Sequence, residues 1–216
     1  MATRNEYWEA KFSTDKYAWG PGPSDVAERL RGYAQPGKRF LDVGCGCGRD
    51  ALYFATLGSD AVGIDWSEEG IRQGRELTER SGAGGKAKFI IGDYRHLVDF
   101  FEPGSFDVIS SYNAFHLLEE CYRAGTFQQL RDLLAPGGLL AFEVFSTRES
   151  GFGDGVQSEH NTFVKKGQRV HFFEDKEILA LTDGLEVVQI EHIEAAEDYP
   201  NHHKHQEWLY IGRRPA

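Results

Sequence analysis

Residues 40–50 read Phe-Leu-Asp-Val-Gly-Cys-Gly-Cys-Gly-Arg-Asp, an apolar run that ends in an acid and enters three alternating glycines. Gly44, Gly46 and Gly48 have no Cβ, so the backbone there can turn sharply and approach a ligand within contact distance. The expected unit is a buried strand, a tight loop and a helix start, the arrangement by which α/β sheets hold nucleotide-like cofactors. In the dinucleotide fingerprint the glycines run G-x-G-x-x-G and a pyrophosphate rests on the helix N-terminus. Here the third glycine comes one residue early, and Asp42 sets a carboxylate where an anion would otherwise sit. Such a carboxylate repels phosphate and favours a cation. The alternative is a tight strand-helix turn that holds no ligand.

Two further strands also end in acids. Ala61-Val62-Gly63-Ile64-Asp65 reads as a second buried strand, and Asp65 lies 17 residues past Gly48. That is close to the roughly 20-residue offset of the acid that binds ribose hydroxyls in such folds, so Asp65 is the expected ribose ligand. Lys88-Phe89-Ile90-Ile91-Gly92-Asp93 repeats the pattern. Either acid could instead cap a helix, with Ser67 competing for that job beside Asp65. Three acids ending three successive strands favour a shared site.

The rest of the chain alternates strand and helix, which predicts a doubly wound, mostly parallel sheet. Strands are expected near 38–43, 60–65, 86–91, 106–111 and 138–145, and helices near 24–34, 48–57, 67–81 and 120–134. The ligand belongs at the carboxyl ends of those strands, where all three acids lie. A polar, Gly-rich loop is expected from Ser146 to Gly167, and it is the segment expected to be mobile, since a structureless loop of that length is usually functional or disordered. A helix near 174–182 and two alternating strands, Leu185–Ile193 and Glu207–Arg213, close the sheet as an antiparallel hairpin.

Composition bounds the function. A chain of 216 residues, 40% hydrophobic with 15 Phe, 9 Tyr and 4 Trp, can fill the core of one α/β domain, expected over 1–216. With 34 acidic against 24 basic residues and a net charge of −10, nucleic acid is an unfavourable partner, because affinity for it comes from Lys and Arg on phosphates. No apolar run is long enough for a membrane span and the first residues do not read as a signal peptide, so a cytoplasmic protein is expected. Cys45, Cys47 and Cys121 are expected as free thiols, the first two as small buried side chains of the loop. The sequence says nothing of oligomeric state.

The D-x-G-x-G-x-G pattern of residues 42–48 resembles motif I of the class I methyltransferases that use S-adenosylmethionine, a phosphate-free nucleoside with an ammonium and a sulfonium. Tyr7-Trp8-Glu9-Ala10-Lys11-Phe12, Tyr17-Ala18-Trp19-Gly20, Gly48–Ala55, Asp65-Trp66-Ser67 and Gly92-Asp93-Tyr94-Arg95 are similar, within that class, to the tellurite-resistance (TehB-like) methyltransferases. The resemblance implies a seven-stranded Rossmann-like sheet with an antiparallel closing strand. It also implies a Pro136-Gly137-Gly138 turn before the fifth strand. It places Asp93 on the adenine amino group, Trp66 and Tyr94 beside the cofactor, and Asn113 and His116 near the methyl group.

The aromatic segment before Pro23, residues 1–23, would be either a lid whose rings, Trp19 among them, face the sulfonium through cation–π attraction, or a helix docked for packing alone. The implied acceptors are small soft nucleophiles such as tellurite and selenite. Arg169 could clamp an oxyanion, and His171 or His205 could exchange a proton. The run His202-His203-Lys204-His205 reads as a solvated loop in preference to a metal site. Methyl transfer is an in-line displacement in which the protein chiefly orients and shapes. The leading reading is a methyltransferase acting on a small molecule. A small organic N, O or S acceptor rivals the metalloid. A nicotinamide oxidoreductase and a non-catalytic cofactor-binding protein are the other classes, and the glycine spacing with Asp42 counts against the oxidoreductase.

Overall fold

The computed structural model describes residues 4–14, 22–83, 85–197 and 203–216. The first strand, β1 (Arg39–Val43), sends alternate side chains to opposite faces. Phe40 stacks on Phe54 with ring centroids 3.8 Å apart on one face, while Leu41 and Val43 join the core on the other. Asp42 therefore shares the Phe40 face. Helix α1 (Arg4–Thr14) and the short α2 (Asp25–Arg29) precede this strand, and α3 (Arg49–Thr56) follows the glycine loop.

Chain order continues with β2 (Asp60–Asp65), α4 (Glu68–Ser81), β3 (Ala87–Ile91), β4 (Phe106–Tyr112), α5 (Glu120–Leu133) and β5 (Leu134–Phe145). Ser67 caps α4, its hydroxyl accepting from the Gly70 N–H at 3.0 Å, and Gly82 closes the helix with φ 72°. Beyond α6 (Asp175–Leu181) come β9 (Glu186–Glu197) and β10 (His203–Arg213). The main sheet has seven strands in the order β3-β2-β1-β4-β5-β10-β9, with β10 antiparallel to both of its neighbours. The expected seven-stranded, mostly parallel α/β sheet is thus the observed one. Strand order reverses between β1 and β4, which opens a crevice at the carboxyl ends of those strands.

The expected loop from Ser146 to Gly167 is a correction. It contains β6 (Val156–Glu159) and β7 (Thr162–Lys165), which with β8 (Gln168–His171) form a separate three-stranded antiparallel sheet. Lys166 and Gly167 link Lys165 to Gln168 as a two-residue turn, both with positive φ (52° and 84°). The strands are only four residues long, too short for periodicity to announce them, and they hold together through tertiary contact: Phe152, Phe163 and Phe172 meet with centroids 5.3 to 6.1 Å apart.

A second correction concerns the histidine run. His203, Lys204 and His205 begin β10 and pair with Glu197, Ala196 and Ala195 rather than lying in a solvated loop; His202 lies outside the described residues. The Pro136-Gly137-Gly138 turn lies inside β5, which begins at Leu134, so it marks an irregular register against β4 and not the strand's start.

Helix α1 docks against α4. The Glu9 carboxylate accepts from the Glu68 and Glu69 N–H groups at 2.5 and 3.1 Å, and the Gln73 amide donates to the Phe12 carbonyl at 2.6 Å. An acid at the first turn of a helix satisfies its orphan donors and opposes the dipole, so the contact stabilises both helices. Tyr17 and Trp19 lie outside the described residues.

Candidate cofactor site

The crevice at the β1/β4 switch point is a cavity of about 670 Å³, its open mouth included. The glycine loop forms its floor, with Asp42 and Asp65 at the strand ends. Tyr112 contributes a wall from the end of β4, and Trp66, Tyr94, Asn113 and Leu117 from the segments after β2, β3 and β4. Trp8 and Phe12 close one side from α1.

Asp42 is buried, and its carboxylate accepts from the Ala51 N–H at 3.2 Å in the first turn of α3. At the helix N-terminus, where a dinucleotide would rest its pyrophosphate, a protein carboxylate thus takes one of the free N–H groups. Burial, and then the neighbouring Asp50 carboxylate, push Asp42 well above the usual carboxylate range; the Ala51 N–H and Arg49 work against that. Asp50 itself is spoken for, accepting from the Ser24 N–H at 2.7 Å and hydroxyl at 2.5 Å.

Asp65 is held from two sides. Its oxygens accept from the Gly46 N–H and the Ser67 N–H, each at 2.9 Å, which ties the β2 end to the glycine loop while Ser67 caps the helix. Burial raises its pKa and those N–H bonds oppose the rise. Asp93 stands differently. It caps the 3-10 turn that follows β3, accepting from the Arg95 N–H at 2.9 Å, and it pairs with the Arg95 guanidinium at 2.5 Å. Against the upward push of partial burial, Arg95 holds Asp93 below the usual carboxylate range. Its neighbour Tyr94 lines the cavity; Asp93 does not.

The motif glycines also answer to packing. All three have positive φ, 71°, 52° and 74° at Gly44, Gly46 and Gly48. A Cβ at Gly46 would come within 2.7 Å of the Phe12 ring, and one at Gly48 would meet Phe89. The absence of a side chain there admits protein neighbours, in addition to leaving room for a ligand.

Asn113 follows β4 in the left-handed region, φ 51°, a position costly for a residue with a Cβ and tolerated best by Asn. Its side-chain N–H donates to Glu207 at 2.9 Å, and its buried side-chain oxygen has no protein partner among the described residues. Arg169, His171 and His205 stand outside this cavity. Arg169 pairs with Glu159 at 2.6 Å, and His171, 1% exposed, is bracketed by Thr162 at 2.8 Å and Glu177 at 2.9 Å. His205 lies against the Phe145 ring, 4.9 Å between centroids, with Nδ1 3.4 Å from Glu149. His116 stacks on the same Phe145 ring, with 4.3 Å between centroids.

Sequence reading missed Arg49, Tyr112 and Leu117 as cavity walls, and Glu143 and Glu207 behind Asn113, whereas Trp8 and Phe12 belong to the aromatic segment expected as a lid or a docked helix. Glu143 carried a signal: it is the one charged residue in the apolar run Leu139–Phe145, where a solvated acid has no place.

Residues 40–138, the segment that builds this cavity floor and the β1/β4 crevice, match the methyltransferase domain family. Over those residues the chain is similar to methyltransferase domains. A sterol 24-C-methyltransferase of Pneumocystis carinii (strain B80) is 29% identical over 62% of this chain and 36% of its own length. Across the first curated relatives the chain spans between 36% and 56% of their length. A SAM-dependent methyltransferase of Methanosarcina mazei superposes with TM-score 0.76 at 23% identity, covering 87% of this chain and 97% of that one. TehB from Haemophilus influenzae gives 0.69 at 20% identity, over 96% and 67%. These two likenesses concern the fold.

S-adenosylmethionine is the cofactor of this class, and the residues of the methyltransferase domain fit it. Asp42 takes the Ala51 N–H at the α3 N-terminus, which disfavours a phosphate there, and the cavity adds the aromatic walls Trp8, Phe12, Trp66 and Tyr94 for a nucleoside.

Proposed function

We propose that this chain transfers the methyl group of S-adenosylmethionine to a small-molecule acceptor. The observation that carries the reading is the β1 end, where the buried Asp42 carboxylate accepts from the Ala51 N–H in the first turn of α3 and sets a negative group where a nicotinamide dinucleotide would rest its pyrophosphate. Asp65 would hold the ribose, Trp66 and Tyr94 would flank the adenine, and Trp8 with Phe12 would exclude water on the α1 side. When bound, the cofactor supplies an activated methyl carbon. The chain supplies orientation and a shaped pocket, which is most of what an in-line displacement asks of a protein.

For the acceptor, the surroundings favour a neutral organic nitrogen, oxygen or sulfur nucleophile over a metalloid oxyanion. Arg169, the expected anion clamp, is spent on Glu159 away from the cavity, and the cavity wall carries Asp42, Asp50 and Asp65 against one arginine, Arg49, among the described residues. An oxyanion such as tellurite or selenite would meet repulsion there. Incubation with methyl-labelled cofactor and a panel of amines, phenols, thiols, tellurite and selenite tests both levels. Label in an organic product supports the reading, label in a metalloid product overturns the acceptor class, and bound cofactor with no labelled product indicates a non-catalytic binder.

A further inference from the structure

A second cavity, of about 700 Å³ with its open mouth included, lies between the end of β5 and the β6–β8 sheet. Phe145, Phe163, Val170 and Phe172 form its apolar lining. Phe145, Phe163 and Val170 are only half-buried, so apolar surface remains uncovered there. The rings meet at several angles: Phe163 stands edge-on to Phe172 with centroids 6.1 Å apart, and Phe145 lies near-parallel to Phe172 at 6.3 Å. The charged lining is two lysines against two acids, Lys165 and Lys166 against Glu149 and Asp154. Lys165 pairs with Asp154 at 2.6 Å, and Glu149 accepts from the Gln206 N–H at 2.6 Å. This cavity therefore carries no net charge, unlike the cofactor cavity with its three acids.

The roof of this cavity is tied down on two sides. Past β8, the Phe173 N–H donates to the Phe145 carbonyl at 2.8 Å, which joins the small sheet to the end of β5. Arg123 of α5 lies 3.4 Å from Glu177 and 3.7 Å from Glu159, and those two acids also hold His171 and Arg169 of β8. The residues read from sequence as anion clamp and proton carrier thus support the roof. The inner end of the cavity stands close to the cofactor cavity. Tyr112, a wall of the cofactor cavity, pairs with Glu143, and Phe145 lies two residues farther along β5, which sets the two backbones about 8 Å apart. The 3-10 turn Phe115–Leu117 bridges them, with Leu117 in the wall of the first cavity and His116 stacked on Phe145 of the second.

We propose that this second cavity holds the ring of the methyl acceptor, a neutral aromatic molecule of the phenol, aryl amine or aryl thiol class. The inference rests on the methyl-transfer reading above and narrows its acceptor. Phenylalanine rings set at different angles give a flat guest both edge-to-face and stacked contacts, a gain beyond the area it buries. An ionic acceptor would lose hydration there and meet a lining whose charges already compensate one another. A ring seated against Phe145 has its nucleophilic atom on the side of the cofactor cavity. On transfer, the heteroatom's lone pair forms the bond to the methyl carbon, the sulfur–methyl bond breaks with its pair left on sulfur, and the acceptor's proton leaves to water.

Gly151 supplies the test. It lines the cavity, its backbone is outside the left-handed region, and a Cβ there would meet only the Phe172 ring, at an ordinary 3.8 Å. A larger side chain at 151 thus fits the backbone and takes up cavity space. The full chain, saturated with S-adenosylhomocysteine to keep the probe out of the cofactor cavity, is titrated with naphthol and with its ring-saturated counterpart, decahydronaphthol. Naphthol should bind saturably and about threefold or more tightly than the saturated molecule. Gly151→Leu should weaken naphthol by about tenfold or more and leave S-adenosylhomocysteine within about twofold. Phe163→Ala removes one ring from the wall and should narrow the preference for the flat molecule, which decides the matter if Gly151→Leu does not fold. In the labelled-methyl panel, phenols, aryl amines or aryl thiols should take label ahead of aliphatic alcohols, amines and thiols. No saturable naphthol binding, equal binding of the saturated molecule, unchanged naphthol affinity in the folded variants, or preferred labelling of an aliphatic acceptor overturns the proposal; label in any product leaves the methyltransferase reading standing. Absence of label from every product overturns that reading and the acceptor role with it.

Discussion

Asp65 and Asp42 end adjacent strands with the same side chain, yet they do different work. Asp65 bridges two N–H groups that belong to separate segments, the glycine loop and the α4 entry, so its loss affects both shape and recognition. Asp65→Ala should weaken S-adenosylmethionine binding by about 1 to 3 kcal/mol, the range for losing hydrogen bonds to a charged group, as read by calorimetry. Arg169→Gln should leave cofactor affinity unchanged in the same titration and change stability by less than about 1 kcal/mol, because it removes only a part-exposed ion pair with Glu159. Glu143 predicts a pH dependence. Its folded-state pKa lies near 9 against an ordinary value of 4.5, so the native chain binds more protons than the unfolded one between those values. Stability from this group is fully present below about pH 4.5 and is lost as pH rises toward about 9. Thermal melts over that window should fall less steeply for Glu143→Gln than for the wild type.

At the scale of the element, local signals and tertiary demands separate cleanly. Ser67 precedes α4 as a side chain that can satisfy a free N–H, and it does so; Ser67→Ala should cost about 1 kcal/mol in urea denaturation. The glycine loop, both long parallel strands that flank it and the helices that follow were legible because their apolar runs and caps are local facts. The β6–β8 sheet was not. Its strands are four residues each, its turn residues are ordinary Asn and Lys forced to positive φ, and its aromatic cluster joins residues that lie 9 to 20 positions apart. Charge and glycine content made that stretch look like a loop, whereas long-range packing made it a sheet.

Over the whole molecule, the cavity depends on contacts between segments far apart in the chain. Phe12 from α1 is 3% exposed and sits over Gly46, so the N-terminal helix supports the loop that the switch point positions. Phe12→Ala should lower stability by about 3 kcal/mol, the scale for emptying a buried ring site, and should weaken cofactor binding in parallel; urea midpoints and calorimetry measure the two. The seven-stranded order then explains why the site lies where it does. Reversal of strand order between β1 and β4 parts the helices of the two sheet faces, and the carboxyl ends of both strands face the gap.

What the sequence determined alone was the α/β class, the strand-loop-helix unit around Gly44, Gly46 and Gly48, and the acids at the strand ends, because periodicity, turn chemistry and spacing act within about 20 residues. Only the tertiary structure decided that Asp93 belongs to Arg95, that Arg169 and His171 stand apart from the cavity, and that Glu143 and Glu207 meet behind Asn113. The physical reason is that a side chain's partner is set by which strands become neighbours. Asn113 and Glu207 are 94 residues apart, and they meet only because β10 lies beside β5, the strand next to β4.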